Sequence, residues 1–401
     1  MSYTALLNDV ALLNDAVLPD DAVPLDVAAL PGVVVLPGVA VLSGVVVLSD
    51  ISSMNGIVKS IDPLGSGLIN DTYKITTQSS DTDDYVLQRI NHAIFKDVNL
   101  LQKNIVAITD HIRKKLIEKG ETDIKRKALQ VIPTKDGKLY YFDGNNYWRI
   151  TVLIPQSKTY ETVNPEFSYY TGKAFGEFQA MLVDLPEPLG ETIPKFHNME
   201  FRLESFKEAI ASNKSGRLEK VQWMVDELLK RSDEMCKAER LYREGKLPKR
   251  ITHCDTKVNN MLFDENGKVL CVIDLDTTMP GFVLSDFGDF IRTAGNTGKE
   301  DDKNLDNVNL NMDIFRSFAK GYIESARSFL LPIEIENLPY GAKLLTYMQT
   351  VRFLTDYIDG DCYYKIQYPE HNWQRSQAQF KLLQSIEEHE KEMQNYIQSL
   401  I

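Results

Sequence analysis

The stretch that decides the fold runs from Arg250 to Thr277: R-I-T-H-C-D-T-K-V-N-N-M-L-F-D-E-N-G-K-V-L-C-V-I-D-L-D-T. Two apolar runs, Met261–Phe263 and Val269–Ile273, flank Asn266-Gly267, a dipeptide that favours tight hairpin turns. With that pair as the turn, Asn260 faces Ile273 and Asp274 faces Asn259. Opposed Cα atoms in an antiparallel ladder lie about 4.5–5.5 Å apart. Asn260 and Asp274 therefore meet at the open end of the hairpin, where an amide and a carboxylate offer hard oxygens to Mg²⁺. Asp255 lies just upstream, in the loop that feeds the first strand.

The spacing is that of a kinase catalytic loop: H-x-D, an Asn shortly after the Asp, and a second Asp further along the chain. In that reading Asp255 accepts the proton of the attacking hydroxyl, and Asn260 and Asp274 hold the metal. His253 braces the loop, and Lys257 reaches the transferred phosphoryl group or the acceptor. Upstream, Pro63-Leu64-Gly65-Ser66-Gly67-Leu68-Ile69-Asn70 forms a glycine-rich connection. Its small residues let backbone N–H groups approach phosphates, so Gly65, Ser66, Gly67 and Asn70 are candidate nucleotide contacts. Singly, each feature has an ordinary explanation: polar residues in a surface hairpin, a core histidine, a common Gly-Ser-Gly turn. Their order along one chain favours the site.

Outward from this island the chain divides in two. Ile57–Ile61, Thr72–Thr76, Tyr85–Ile90, Ala128–Ile132, Lys138–Phe142 and Tyr147–Leu153 read as strands separated by polar turns. One helix lies among them, capped by Asp97, with Leu101, Ile105, Ile108, Ile112 and Leu116 on one face. From Pro165 onward helical periodicity dominates, at 202–211, 218–243, 309–327, 335–358 and 372–398. The expected fold is α+β and bilobal: a small antiparallel-sheet lobe with one helix over 54–154, then a larger, mainly helical lobe over 155–401. Ligands favour the cleft between such lobes. Trp148, Trp223 and Trp373 are expected in the core, and Arg113-Lys114-Lys115 on a solvated helix face.

Residues 5–52 differ in kind. They read as eight hexads, seven with leucine in second place, and Lys59 is the first basic residue of the chain. The segment holds six Asp, half of the net charge of −12. A six-residue period fits neither an amphipathic helix nor simple strand alternation. Residues 27–49 are uncharged and long enough to span a bilayer, but Pro31, Gly32, Pro37, Gly38 and Gly44 interrupt a helix. No positive region marks a secretory signal. A disordered low-complexity hexad repeat over 1–53 is the expectation, ahead of a membrane span or a β-solenoid coil, with Met54 a candidate start of the working protein.

The acidic balance argues against a protein that coats nucleic acid. Cys236, Cys254, Cys271 and Cys362 are widely spaced and suit a reducing compartment rather than a disulfide framework.

Several segments resemble the aminoglycoside/choline kinase-like phosphotransferases of the protein-kinase-like superfamily, and within them the N-acetylhexosamine 1-kinases. They are Gly65–Tyr73, Tyr85–Asn91, Ala174–Gln179, His253–Asn260, Ile273–Gly281, Asp286–Asp289, Arg352–Asp361 and Tyr368–Asn372, and the likeness spans about residues 55–400. It implies a cytoplasmic, ATP- and Mg²⁺-dependent kinase acting on the anomeric hydroxyl of N-acetylglucosamine or N-acetylgalactosamine. It also implies Asp255 as base, Asn260 and Asp274 as metal ligands, and Lys257, Arg352 and Tyr363 as sugar contacts. Asp286 would anchor the catalytic loop, and Asp276 is either a second metal-shell group or a helix-cap or turn residue. Gln88 stands where many kinases carry a phosphate-pairing Lys, and residues 97–117 contain no Glu to partner one. Arg89, beside Gln88, points to the opposite face of a strand. The alternatives are a choline, aminoglycoside or homoserine kinase-like enzyme and a non-catalytic nucleotide-binding protein. Deleting residues 1–53 is expected to leave the thermal midpoint unchanged and phosphoryl transfer within about twofold of the full chain; a lower midpoint or a larger loss of transfer makes the hexads part of the working protein.

Overall fold

The computed structural model describes residues 53–65, 69–160 and 162–401. The hexads and the candidate contacts Ser66 and Gly67 lie outside them.

The first lobe is a six-stranded antiparallel sheet in the order β1 (Val58–Pro63), β2 (Asp71–Thr77), β3 (Tyr85–Ile90), β6 (Tyr147–Val152), β4 (Val131–Ile132), with β5 (Tyr141–Phe142) also paired to β6. Alternation along β3 and β6 buries Tyr85, Leu87, Trp148, Ile150 and Val152 in one apolar cluster. Thr72, Gln88 and Arg149 are cross-strand neighbours in register and lie on a shared row of β2, β3 and β6. Helix α1 (Val98–Glu118) starts where Asp97 accepts the Leu100 N–H at 2.8 Å. Its apolar stripe packs with Phe178 and Leu182 of helix α3 (Pro165–Leu182), so the two lobes share a hydrophobic cluster. A further short helix, α2 (Ile124–Lys127), joins α1 in this lobe.

The second lobe contains α4 (Met199–Ser212), α5 (Leu218–Met235), α6 (Lys237–Arg243), α7 (Val283–Ala294), α8 (Met312–Ala326), α9 (Pro332–Glu336), α10 (Leu338–Asp359) and α11 (His371–Ser399). The helix expected over 218–243 is interrupted at Cys236, which lies between α5 and α6. Trp223 is 49% exposed, unlike buried Trp148 and Trp373. Its ring packs edge-on against Trp373 and Phe380, as a lid on the core rather than part of it. Among the described residues no helix is long and apolar enough to cross a membrane.

The hairpin of the deciding stretch forms as β8 (Met261–Phe263) and β9 (Val269–Val272), with Met261 opposite Val272 and Leu262 opposite Cys271. The Ile273 N–H donates to the Asn260 carbonyl at 2.9 Å, which extends the expected register to the site. The turn is longer than Asn-Gly alone. Asp264 accepts the N–H groups of Asn266 and Lys268 at 2.9 and 2.8 Å, and Gly267 takes the positive φ of +79°. A register shift between Leu262 and Phe263 absorbs the difference before the site is reached. Strands β7 (Arg250–Thr252) and β10 (Met279–Gly281) pair on the other side of the loop.

Two helix crossings set the platform under this hairpin. A Cβ on Gly288 of α7 would lie 2.1 Å from the Gly341 carbonyl oxygen of α10, and one on Gly321 of α8 would lie 2.1 Å from the Tyr169 carbonyl oxygen of α3. Both obstacles are backbone, which cannot rotate aside. Gly288→Ala is expected to cost about 1–3 kcal/mol, read as a lower urea midpoint at unchanged m-value; an unchanged midpoint means the α7–α10 contact is not close-packed in solution.

Candidate active site

Helix α7 fixes the catalytic loop. The Asp286 carboxylate accepts the N–H groups of His253 and Cys254, each at 2.8 Å, and the Gln179 amide at 2.7 Å. Tyr322 in turn donates to Gln179 at 2.5 Å. One turn on, Asp289 accepts the Thr256 N–H at 3.1 Å, while the Thr256 hydroxyl donates to the Asp286 carbonyl at 2.6 Å. Burial pushes the Asp286 carboxyl up to about 6, against the pull of His253 and these hydrogen bonds.

His253 is fully buried behind the loop. Its Nδ1 accepts the Asp255 N–H at 3.3 Å, so the ring proton sits on Nε2, which donates to the Ile273 carbonyl at 2.9 Å. This histidine braces the loop against the end of the hairpin and does not line the cavity.

Asp255, by contrast, opens into a cavity of about 650 Å³ between the lobes. Lys257, Asn260, Asp274, Asn70, Gln88, Arg352 and Tyr363 line the same cavity. Lys257 Nζ lies 2.8 and 3.0 Å from the two Asp255 carboxylate oxygens, and Asn260 Nδ2 donates to Asp255 Oδ2 at 3.0 Å and to its carbonyl at 2.8 Å. Burial alone would raise the Asp255 carboxyl. The Lys257 charge and hydrogen bond, with help from His253 and Asn260, outweigh it and hold the group below the ordinary carboxylate range.

Asp274 adopts left-handed backbone at φ 58°, an unusual choice for a non-glycine residue, and this turns it out of the strand. Its carboxylate opens on the cavity and accepts no hydrogen bond among the described residues. Desolvation by the surrounding protein, followed by the charges of Asp276 and Asp255, pushes it up to about 6. With Asn260 Nδ2 engaged by Asp255 and its backbone carbonyl by Ile273, the side-chain Oδ1 of Asn260 and the unpartnered Asp274 carboxylate are hard donors of the kind that suits Mg²⁺. No group of three or more His, Cys, Asp or Glu side chains is placed to cage a metal among the described residues. Two protein oxygens with the rest supplied by phosphate and water is the usual pattern for this ion.

Several expected contacts have other partners. Asn70 donates to Asp276 at 2.6 Å and accepts the Asn91 N–H at 2.9 Å, so both ends of its amide are used within the protein. Asp276 is 3% exposed and pairs with Arg149 of β6 at 2.5 Å, which commits its carboxylate to the first lobe rather than to a turn. Arg89 points away from the cavity and pairs with Asp71. Gly65 has a φ of +70° and open space around it.

At the far end, Arg352 lies over the rings of Phe196, Tyr364 and Tyr363 at 5.2, 5.6 and 6.0 Å and donates to Gln349 at 3.0 Å. Asp356 accepts the N–H groups of Cys362, Tyr363 and Tyr364 and the Asn372 amide, which sets the loop carrying Tyr363. His197 also lines this end. Burial, then the nearby Arg352 and Arg202 charges, lowers its ring to about 3, so it is neutral at physiological pH. Neither His197 nor Arg149 carries a local sequence signal, because each acquires its neighbours only through the fold. Asp289 was within reach of the sequence, as the last residue of the D-F-G-D run.

The sequence model of the phosphotransferase enzyme family matches residues 60–313. Among solved structures, an aminoglycoside phosphotransferase from Alicyclobacillus acidocaldarius is similar with a TM-score of 0.54 at 12% identity, over 88% of this chain and 96% of that one. A choline kinase from Cryptosporidium parvum gives a TM-score of 0.53 at 11% identity, over 85% and 92%. Amicoumacin kinase hAmiN, in complex with AMP-PNP, Ca²⁺ and Ami, gives 0.54 at 13% identity, over 84% and 93%. These likenesses establish the bilobal kinase-like fold.

The raised Asp274 carboxyl has a consequence for metal binding. A proton and a cation compete for the same oxygens, so protonation below about pH 6 weakens the site. Mg²⁺ affinity, read by titration of the nucleotide-free protein, is expected to fall about tenfold between pH 7 and pH 5. Asp274→Asn removes that step; a flat profile in the unmutated protein refutes the metal assignment.

Proposed function

Because the chain belongs to the phosphotransferase enzyme family, we propose that it is an ATP- and Mg²⁺-dependent sugar kinase that phosphorylates the anomeric hydroxyl of N-acetylhexosamines. The observation that carries the kinase reading is the convergence of Asp255, Asn260 and Asp274 on one cavity between the lobes. Mg²⁺ held by Asn260 and Asp274 would neutralise phosphate charge during transfer. Asp255 orients the acceptor hydroxyl and takes its proton as the oxygen bonds to the γ-phosphorus, with ADP as the leaving group. Its low basicity suits a loose transition state, in which positioning matters more than early proton removal. Lys257 keeps that carboxylate ionised and places a positive charge beside the path of transfer.

The charge at the acceptor end supports a hydroxyl-rich sugar over a cationic acceptor. Arg352, Lys365 and Arg375 line it, and none has a carboxylate partner within 4.0 Å among the described residues. The acids nearby are engaged: Asp289 and Glu300 with Arg292, and Asp255 with Lys257. A choline or aminoglycoside ammonium would meet like charges there. Tyr363 offers a ring face and a hydroxyl to a sugar, and Lys257 and Arg352 offer donors to its oxygens.

A panel of N-acetylglucosamine, N-acetylgalactosamine, galactose, choline and kanamycin, assayed for ADP release, tests this. Turnover is expected with the two acetamido sugars, and turnover with choline or kanamycin alone defeats the sugar reading. Asp255→Asn is expected to lower kcat by about 10²–10⁴-fold while ATP binding persists; unchanged kcat means another group is the base.

A further inference from the structure

Phosphoryl transfer needs charge or donors against the nucleotide phosphates, and many kinases meet that need with a strand lysine held by a helix glutamate. Here Gln88 stands at the lysine position and residues 97–117 contain no Glu, and the structure shows what surrounds Gln88. Gln88 lines the cavity from β3. Directly opposite, on β6, is Arg149. Arg149 Nε donates to Gln88 Oε1 at 2.9 Å, and Gln88 Nε2 donates to the Thr72 hydroxyl at 3.2 Å. A guanidinium has only donors, so the amide oxygen must face Arg149 and the NH₂ group must point the other way. One of its two N–H bonds serves Thr72, and the other is left for the cavity.

The other end of Arg149 crosses to the second lobe. Nη1 meets Asp276 Oδ1 at 2.5 Å, with both side chains almost wholly buried, at 5% and 4% exposure. The pair is a charge contact rather than an aligned hydrogen bond, since neither atom satisfies hydrogen-bond geometry. Asp276 Oδ2 accepts the Asn70 amide at 2.6 Å, at the end of the glycine-rich connection. A single arginine thus joins β3, β6, the segment after the glycines and the loop that carries Asp274.

We propose that Arg149 is the positioning residue of the nucleotide site: it turns the Gln88 N–H toward the phosphates and latches the Asp274 loop to the sheet through Asp276. A neutral amide, oriented by a buried ion pair, then takes the place of the charged lysine. Arg149 itself does not line the cavity, so it acts through Gln88 and Asp276.

The nucleotide half alone tests this, by calorimetry of the full chain with ATP and, separately, adenosine, in the absence of any acceptor. Gln88→Glu keeps the size of the side chain and the Arg149 contact but replaces the inward N–H by a carboxylate oxygen. It is expected to lose at least about tenfold in ATP affinity, with adenosine affinity and thermal midpoint unchanged. Arg149→Lys, which retains charge for Asp276 but cannot hold both partners, is expected to weaken ATP several-fold and again spare adenosine. Unchanged ATP affinity in Gln88→Glu overturns the proposal. So does equal loss of ATP and adenosine, which marks a merely structural effect. If Gln88→Glu does not fold, Gln88→Leu, which removes the donor without adding charge, decides between the same outcomes. None of these results depends on which acceptor the enzyme takes.

Discussion

The Asp286 carboxylate accepts the N–H groups of both His253 and Cys254 at 2.8 Å, and Cys254 holds a φ of +63° between them and Asp255. A non-glycine residue in that conformation costs about 1–3 kcal/mol unless its surroundings fix it. Here a buried anion does so, with two charge-assisted hydrogen bonds that each exceed a neutral one. The anion itself is expensive to bury, which is why its proton affinity is raised. Gln179 and Tyr322 supply the remaining support from α3 and α8. The direction of Asp255 into the cavity therefore rests on a chain of contacts that reaches the far side of the helical lobe. The close glycine crossings of α7 on α10 and α8 on α3 keep that chain short enough to bond.

The two ends of the cavity use charge differently. Around Asp255 and Asp274, carboxylates sit near one another, and after desolvation their mutual repulsion is what raises the Asp274 carboxyl. At the Arg352 end the cations lie over aromatic faces instead, Arg352 on Phe196, Tyr363 and Tyr364, and Arg375 on Phe353. Burial, reinforced by the Arg352 and Arg202 charges, keeps His197 neutral there. An overall acidic protein thus presents a locally basic wall at this end of the cavity, which net charge alone conceals.

How much of this was legible in the sequence depended on distance along the chain. The hairpin pattern placed Asn260 beside Ile273 because strand pairing from a nearby turn is local arithmetic. The turn itself was misjudged by a residue, since the side chain of Asp264 bonds two backbone N–H groups and lengthens it. The Asp286–loop contact followed from resemblance and is present in the geometry. The exposure of Trp223 was missed because an apolar periodicity does not say whether the last layer over it exists. Arg149 was invisible for a related reason. On β6 it reads as one polar residue in an alternating strand, and only the sheet register brings it to Gln88, while only the docking of the lobes brings it to Asp276.

That arginine also explains why losing the lysine–glutamate pair need not leave a gap. A lysine ammonium is a point charge on a flexible stem and can satisfy one carboxylate while touching phosphate. A guanidinium presents donors along two edges in a rigid plane, so one edge can hold Gln88 while the other meets Asp276. The exchange moves the permanent charge out of the cavity wall and into the joint between the lobes. It leaves a neutral amide, that of Gln88, on the cavity wall. Breaking either partner would strand a buried charge, so Arg149 and Asp276 are tied to each other more strongly than either is tied to the nucleotide. On this arrangement, alignment of the lobes and orientation of the Gln88 donor are one event, because the same side chain sets both.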